Sequence, residues 1–194
     1  MAGIVKGADA PSAVAQVGCP LVTVSSPKGG VGKTTIARGL LVRATQLGIR
    51  AVGVDFDPQL GLKKWVDQRE VTRKAFPTFV EVRVIRGDLD DWRDALRDAA
   101  LEADVVIADT PPSVEAHMTS IAGLLKTSTY VLIPTGYTSD DLGSVIPWLK
   151  EMSRLKIPSA AALNRVLRRT KAFQELCRNL GDAVIRRRSA LACC

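Results

Sequence analysis

The stretch SSPKGGVGKTT, Ser25 to Thr35, holds residue types suited to gripping a polyphosphate. Gly29, Gly30 and Gly32 let the backbone bend so that successive amides, Val31 included, point inward at an anion. Lys33 is placed to reach the β- and γ-phosphates, the Thr34 hydroxyl to ligate Mg²⁺, and Thr35 to donate to the α-phosphate. Two features depart from the general pattern G-x-x-x-x-G-K-[ST]: Pro27 stands where glycine is usual, and a second lysine, Lys28, precedes Lys33 by five residues.

Two acidic segments follow at intervals that suit the same chemistry. VDFDPQ (54–59) delivers Asp55 and Asp57 to the end of an apolar run. VVIADTPP (105–112) delivers Asp109 after four apolar residues, where it can hold a Mg²⁺-bound water or the Thr34 hydroxyl. Phosphoryl transfer to water needs charge neutralisation and an aligned nucleophile more than covalent chemistry. No Ser-His-Asp triad or metal-cluster spacing competes with this reading. The single histidine, His117, and the tryptophans Trp65, Trp92 and Trp148 read as packing or surface residues.

These residues need strand ends and a helix start to hold them. Apolar β-rich runs at 20–25, 50–55, 79–85, 104–110, 129–135 and 159–166 alternate with helical patterns. The run at 79–85 alternates and should lie half exposed. A helix after Gly32 is expected to carry Ile36, Leu40, Ala44 and Leu47 on its buried stripe and to stop at Gly48. A short helix spans GLKKWVDQRE, and Asp88 should cap the one carrying Leu89, Trp92 and Leu96. The segment 114–125 is helical, Pro147 interrupts a long helix, and a last helix carries Phe173, Leu176 and Leu180. Such alternation predicts an α/β fold, a mostly parallel sheet with helices on both faces. Expected organisation is a flexible arm at 1–19, one domain at 20–185 and a basic tail at 186–194.

Composition excludes several classes. A hydrophobic fraction of 46% argues against disorder. No apolar run approaches the roughly 20 residues that span a bilayer, and the first residues lack the apolar core of a signal peptide. The four cysteines show no metal-ligand spacing. The net charge of +7 is uneven: residues 146–194 hold eleven Lys/Arg against three Asp/Glu, a net of +8 that leaves −1 for the rest. Such a basic quarter suits a polyanion partner.

With these motifs in order, KGGVGKTT (28–35) resembles the deviant Walker A motif of the ParA/MinD group of P-loop ATPases, over roughly residues 20–185. The resemblance implies a SIMIBI-like P-loop NTPase fold, ATP and Mg²⁺ as ligands, and weak ATPase activity. It implies that Asp57 activates the attacking water, that Asp55 lies near the metal and loop lysine, and that Asn164 of the NR pair helps bind adenine. It makes Lys28 a signature lysine that crosses to the phosphates of a second subunit, so that ATP drives a homodimer. The DFDPQLGLKKW stretch is similar to small ParA partition proteins without a preceding helix-turn-helix domain. In that setting the basic last quarter predicts ATP-dependent, non-specific DNA binding through Arg165, Arg168, Arg169, Lys171, Arg178 and Arg186 to Arg188. The resemblance also implies a ParB-like adaptor that stimulates hydrolysis, no membrane partner, and a cytoplasmic, nucleoid-associated protein. Family members usually run on past a point like Ile185, which bears on the DNA surface rather than the ATP site. Other readings are positioning of a protein cargo, an amidoligase-like metabolic enzyme, or a regulator that hydrolyses nothing.

Overall fold

The structure, a computed structural model, describes residues 18–112, 117–164 and the backbone of 184–185. Each of the six apolar runs contributes a strand, β1 (Leu21–Val24), β2 (Ala51–Asp55), β3 (Arg83–Arg86), β4 (Val105–Asp109), β5 (Tyr130–Thr135) and β6 (Ser159–Leu163), although β3 starts four residues later than the run at 79–85 predicts. A two-residue strand, β7 (Val184–Ile185), adds to β6. The sheet order is β3-β2-β4-β1-β5-β6-β7, with every pairing parallel. All strands therefore end on one side, and β1, which feeds the glycine loop, lies between β4 and β5. That crevice is where open α/β sheets bind ligands.

Five described helices cover the sheet: α1 (Lys33–Gln46), α2 (Gly61–Ala75), α3 (Trp92–Ala100), α4 (Met118–Thr127) and α5 (Ser139–Arg154). Strand alternation divides the apolar residues between two faces. Val24, Val84 and Ile107 meet Ala37 and Leu41 of α1 and Leu62 of α2. Leu21, Val52, Val54, Val106, Val131 and Ile133 meet the other three helices through Trp92, Leu96, Ile121, Leu124, Val145 and Met152. A Cβ on Gly53 would sit 2.9 Å from Leu41 and Val84 side-chain carbons, so the absence of a side chain there lets α1 press on the sheet. Leu41 is wholly buried, and truncating such a leucine to alanine costs about 2–5 kcal/mol.

The structure revises several details. The buried centre of α1 is Ala37 and Leu41; Ile36, Leu40 and Ala44 flank it and Leu47 is exposed, so the expected stripe is turned by one residue. Gly48 does follow the helix end, with φ 77°. The helix of Trp65 runs on through VTRKA to Ala75, two residues short of Pro77. Asp88 caps no helix; its carboxylate accepts from the Asp90 amide in a turn, and α3 begins after Asp91. Pro147 does not interrupt α5. The residue four before it is Gly143, with open space where a Cβ would stand, which eases a ring that otherwise crowds the previous turn. Cys19, expected in the arm, is buried and its thiol donates to the Ala103 carbonyl at 3.4 Å. The last expected helix and the basic residues from Arg165 to Arg188 lie outside the described residues.

Candidate nucleotide site

The glycine loop leaves β1 at Ser25, whose amide bonds the Leu132 carbonyl and so continues the ladder to β5. Gly30 and Gly32 turn the chain at φ 72° and 92°, a region that favours glycine. Gly32 is the N-cap of α1; no side chain caps the helix and its first turn carries no acid. Its free first-turn amides and partial positive charge make an anion site.

Lys33 opens that helix and is only 7% exposed, and its Nζ donates to the Lys28 carbonyl at 3.2 Å. Burial lowers its pKa; the charges of Asp109 and Asp57 oppose the shift and favour the ammonium. Thr34 is half-buried beside the start of α2, where a Cβ on Gly61 would lie 3.7 Å from its methyl group. Thr35 is exposed.

Asp55 and Asp109 end adjacent strands in register and are both wholly buried. Both oxygens of Asp55 are committed: Oδ1 accepts from the Asp57 amide at 3.1 Å, and Oδ2 from the Leu62 and Lys63 amides at 2.9 Å each. Leu62 and Lys63 are the second and third residues of α2, so Asp55 caps that helix from five residues upstream of Leu60, the formal N-cap, which offers no side-chain acceptor. The sequence reading gave Asp55 to the metal; the structure gives it to the backbone. Burial raises its pKa, against the pull of those three amides.

Both oxygens of Asp109 are buried without a hydrogen-bond partner among the described residues. Burial pushes its pKa up to about 7, with Asp55 and Asp57 adding repulsion. The nearby Thr34 hydroxyl and Lys33 pull it down, the hydroxyl without completing a well-formed bond. A buried carboxylate with open lone pairs beside a threonine hydroxyl suits Mg²⁺, which takes one or two protein ligands plus phosphates and keeps its waters. No group of three or more His, Cys, Asp or Glu converges as a metal cage among the described residues, and Mg²⁺ needs none. Asp57 is half-buried; its Oδ1 accepts from the Gln59 amide at 2.9 Å, and its other oxygen has no partner among the described residues.

Lys28 points elsewhere. Its Nζ donates to Asp141 Oδ1 at 2.5 Å, and the lysine side chain stays 38% exposed. Asp141 also closes a capping box with Thr138 at the start of α5. Gly136 makes room for this carboxylate, since a Cβ there would stand 2.0 Å from Oδ2. Sequence reasoning missed Asp141, although Thr138-x-x-Asp141 carries the capping-box spacing. Asn164, at the end of β6, donates its Nδ2 to the Val31 carbonyl at 3.0 Å. The structure thus gathers Lys33, Thr34, Asp57 and Asp109 at one place, with Asp55 beneath them and Lys28 and Asn164 at the loop's sides.

Known proteins share this arrangement of sequence and fold. Maintenance of carboxysome distribution protein A of Halothiobacillus neapolitanus is 33% identical over 172 residues, which is 84% of this chain and 76% of that protein. Chromosome partitioning protein ParA of Myxococcus xanthus is 31% identical over 127 residues, covering 48% of this chain and 45% of its own length. A crystal structure of a putative plasmid partition protein from Borrelia burgdorferi, bound to AMPPNP, superposes with a TM-score of 0.63 at 18% identity, over 86% of this chain and 84% of that one. A model of the CobQ/CobB/MinD/ParA nucleotide binding domain matches residues 22–188, most of the chain, and the chain belongs to that family.

Proposed function

We propose that the protein is a Mg²⁺-dependent ATPase whose ATP-bound form pairs with a second copy, binds DNA without sequence preference and positions a cargo. The observation that carries this reading is the division of labour between two lysines on one loop. Lys33 is buried at the start of α1 among Asp57, Asp109 and the loop carbonyl, while Lys28 sits half-exposed at the rim on Asp141. A buried lysine stabilises phosphate charge within its own subunit; a rim lysine is available to another.

Thr34 and Asp109 would hold Mg²⁺, which when bound neutralises phosphate charge. The loop amides and α1 orient the phosphates, and Lys33 adds a fixed positive charge. The open oxygen of Asp57 takes the proton side of the attacking water. Lys28 leaves Asp141 to reach the phosphates of the partner subunit, which makes hydrolysis depend on pairing. The eight basic residues Arg165, Arg168, Arg169, Lys171, Arg178 and Arg186 to Arg188 supply salt-sensitive contacts to DNA phosphates.

ATPase assays with and without DNA, on wild type and Lys28→Ala, test this. Wild type should hydrolyse slowly and retain DNA only with ATP and at low salt. Normal dimerisation and hydrolysis by Lys28→Ala would remove the intersubunit step, and DNA retention indifferent to nucleotide and salt would remove the switch. A second reading, positioning of a protein assembly, is favoured because the carboxysome distribution protein matches more of this chain than the chromosome partitioning one does. Deletion of the gene separates the two: loss of a replicon on division supports partition, and clustering of a protein assembly supports the second.

A further inference from the structure

We propose that Asn164 is a positioning residue for the phosphate loop: its side-chain amide pins the Val31 carbonyl and so aims the Gly32 amide at the phosphates before nucleotide arrives. The inference rests on reading the loop as a nucleotide site, and it gives Asn164 a role independent of any contact with the base.

Asn164 is firmly placed. Its backbone amide bonds the Thr135 carbonyl at 2.9 Å, extending the β5–β6 ladder to the sheet's ligand side. The acceptor it meets is a carbonyl oxygen, so the group facing Val31 must be the donor Nδ2, and Oδ1 has no partner among the described residues. Gly32 is shaped for this contact as well as for its φ of 92°, since a Cβ there would stand 2.2 Å from Nδ2.

Peptide planarity turns this bond into an aiming device. In a trans peptide the carbonyl of one residue and the N–H of the next point in opposite directions. Holding the Val31 carbonyl toward Asn164 therefore drives the Gly32 N–H away from it, to the concave side of the loop. Lys33 does the same for the Lys28–Gly29 peptide by taking the Lys28 carbonyl. The two restraints differ in permanence. The Lys33 ammonium has to turn to the phosphates when they bind, whereas nothing in phosphate binding requires Asn164 to let go of Val31. Asn164 is thus the restraint that lasts through binding.

Affinity for Mg²⁺-ATP and for Mg²⁺-tripolyphosphate, which has the phosphates and no base, separates loop positioning from base reading. Losing one hydrogen bond that orders the loop should weaken tripolyphosphate binding about tenfold in Asn164→Ala, with ATP weakened at least as much. Asn164→Asp keeps the shape but sets an oxygen against the Val31 carbonyl, and should lose at least as much tripolyphosphate affinity. Ligand-free melting curves establish that each variant is folded at the assay temperature. Unchanged tripolyphosphate affinity in both variants, with or without a fall in ATP affinity, overturns the proposal. Wild type that binds neither ligand overturns the nucleotide reading itself.

Discussion

The ends of β2 and β4 present the same residue at the same level. Asp55 and Asp109 are register partners, each with no exposed surface, and they feel each other's charge. One receives three backbone amides and the other receives none. Burying a carboxylate costs several kcal/mol unless hydrogen bonds replace water. At Asp55 the start of α2 supplies them, and the charge is spent on architecture. At Asp109 nothing in the described residues supplies them, so the cost is left open to be met by a ligand. Burial and position thus do not distinguish a structural acid from a site acid here; the count of satisfied lone pairs does.

The largest effect that could break this comparison is at Asp55. Asp55→Ala leaves the Leu62 and Lys63 amides buried or half-buried without an acceptor and removes the only side-chain cap of α2 among the described residues. The expected loss is about 3 kcal/mol, near 10 °C in Tm for a chain of this size. Asp55→Asn keeps one accepting oxygen and should lose about half of that. Thermal or urea unfolding of the ligand-free protein measures both. A Tm unchanged by Asp55→Ala would mean that the cap is not what holds the start of α2.

Asp109→Asn is the matching experiment with the opposite sign. It removes a buried charge that has no hydrogen-bond partner among the described residues, so metal-free stability should hold or rise by about 1–2 kcal/mol. Mg²⁺-dependent nucleotide binding should fall about 100-fold, because an amide is a far poorer ligand for a hard cation than a carboxylate. Calorimetric titration of ATP with and without Mg²⁺ reads the difference. If the variant unfolds as readily as Asp55→Ala, both aspartates are structural and the distinction collapses.

How far this division is legible from sequence follows from the range of the interactions. The loop and the strand ends bearing Asp55 and Asp109 can be read from local runs, because a buried parallel strand is a short apolar string and the loop has fixed spacing. The capping role of Asp55 cannot. It depends on Leu60 entering α2 in a left-handed conformation, φ 53°, which brings the Leu62 and Lys63 amides back under the strand end. Nothing in DFDPQLGLKK announces that turn. The Lys28–Asp141 pair spans 113 residues and depends on two loops meeting across β1 and β5. Only its nearer half, the Thr138-x-x-Asp141 box, has a local signature. The one-residue error in the stripe of α1 has a similar cause. Ala37, wholly buried like Leu41, is a small residue whose burial hydrophobic periodicity does not weigh.

Asp57 lies between the two cases. One of its oxygens holds the Gln59 amide in a turn and the residue is half-exposed, so Asp57→Ala should cost only about 1 kcal/mol of stability. Its effect on turnover should be much larger, with hydrolysis falling toward background while Mg²⁺-ATP affinity changes by less than about threefold. Asp57→Asn keeps the turn acceptor and should show the same kinetic loss with no change in Tm. Parallel loss of binding and hydrolysis would place Asp57 with the phosphate ligands rather than with the water.

A small stability effect is expected at Asp141, which completes the series because its partner is a side chain that has to move. Lys28 and Thr138 hold the Asp141 carboxyl below its ordinary pKa. A depressed carboxylate contributes stability above its unfolded value of about 4, and that stability is lost as pH falls through the lower folded value. The contribution should be about 0.5 kcal/mol, since the Lys28 side chain is 38% exposed and solvent screens the pair. Asp141→Asn should therefore shift the Tm by no more than about 2 °C at pH 7, and the shift should vanish in acid. It retains an oxygen for the capping box with Thr138 while releasing the Lys28 ammonium from a full negative charge. If Asp141 restrains Lys28 within its own subunit, the variant dimerises at lower ATP concentration, which sedimentation measures. Weaker dimerisation would give Asp141 the opposite role: a carboxylate that aims Lys28 outward, spending its charge on orientation as Asp55 spends its own on α2.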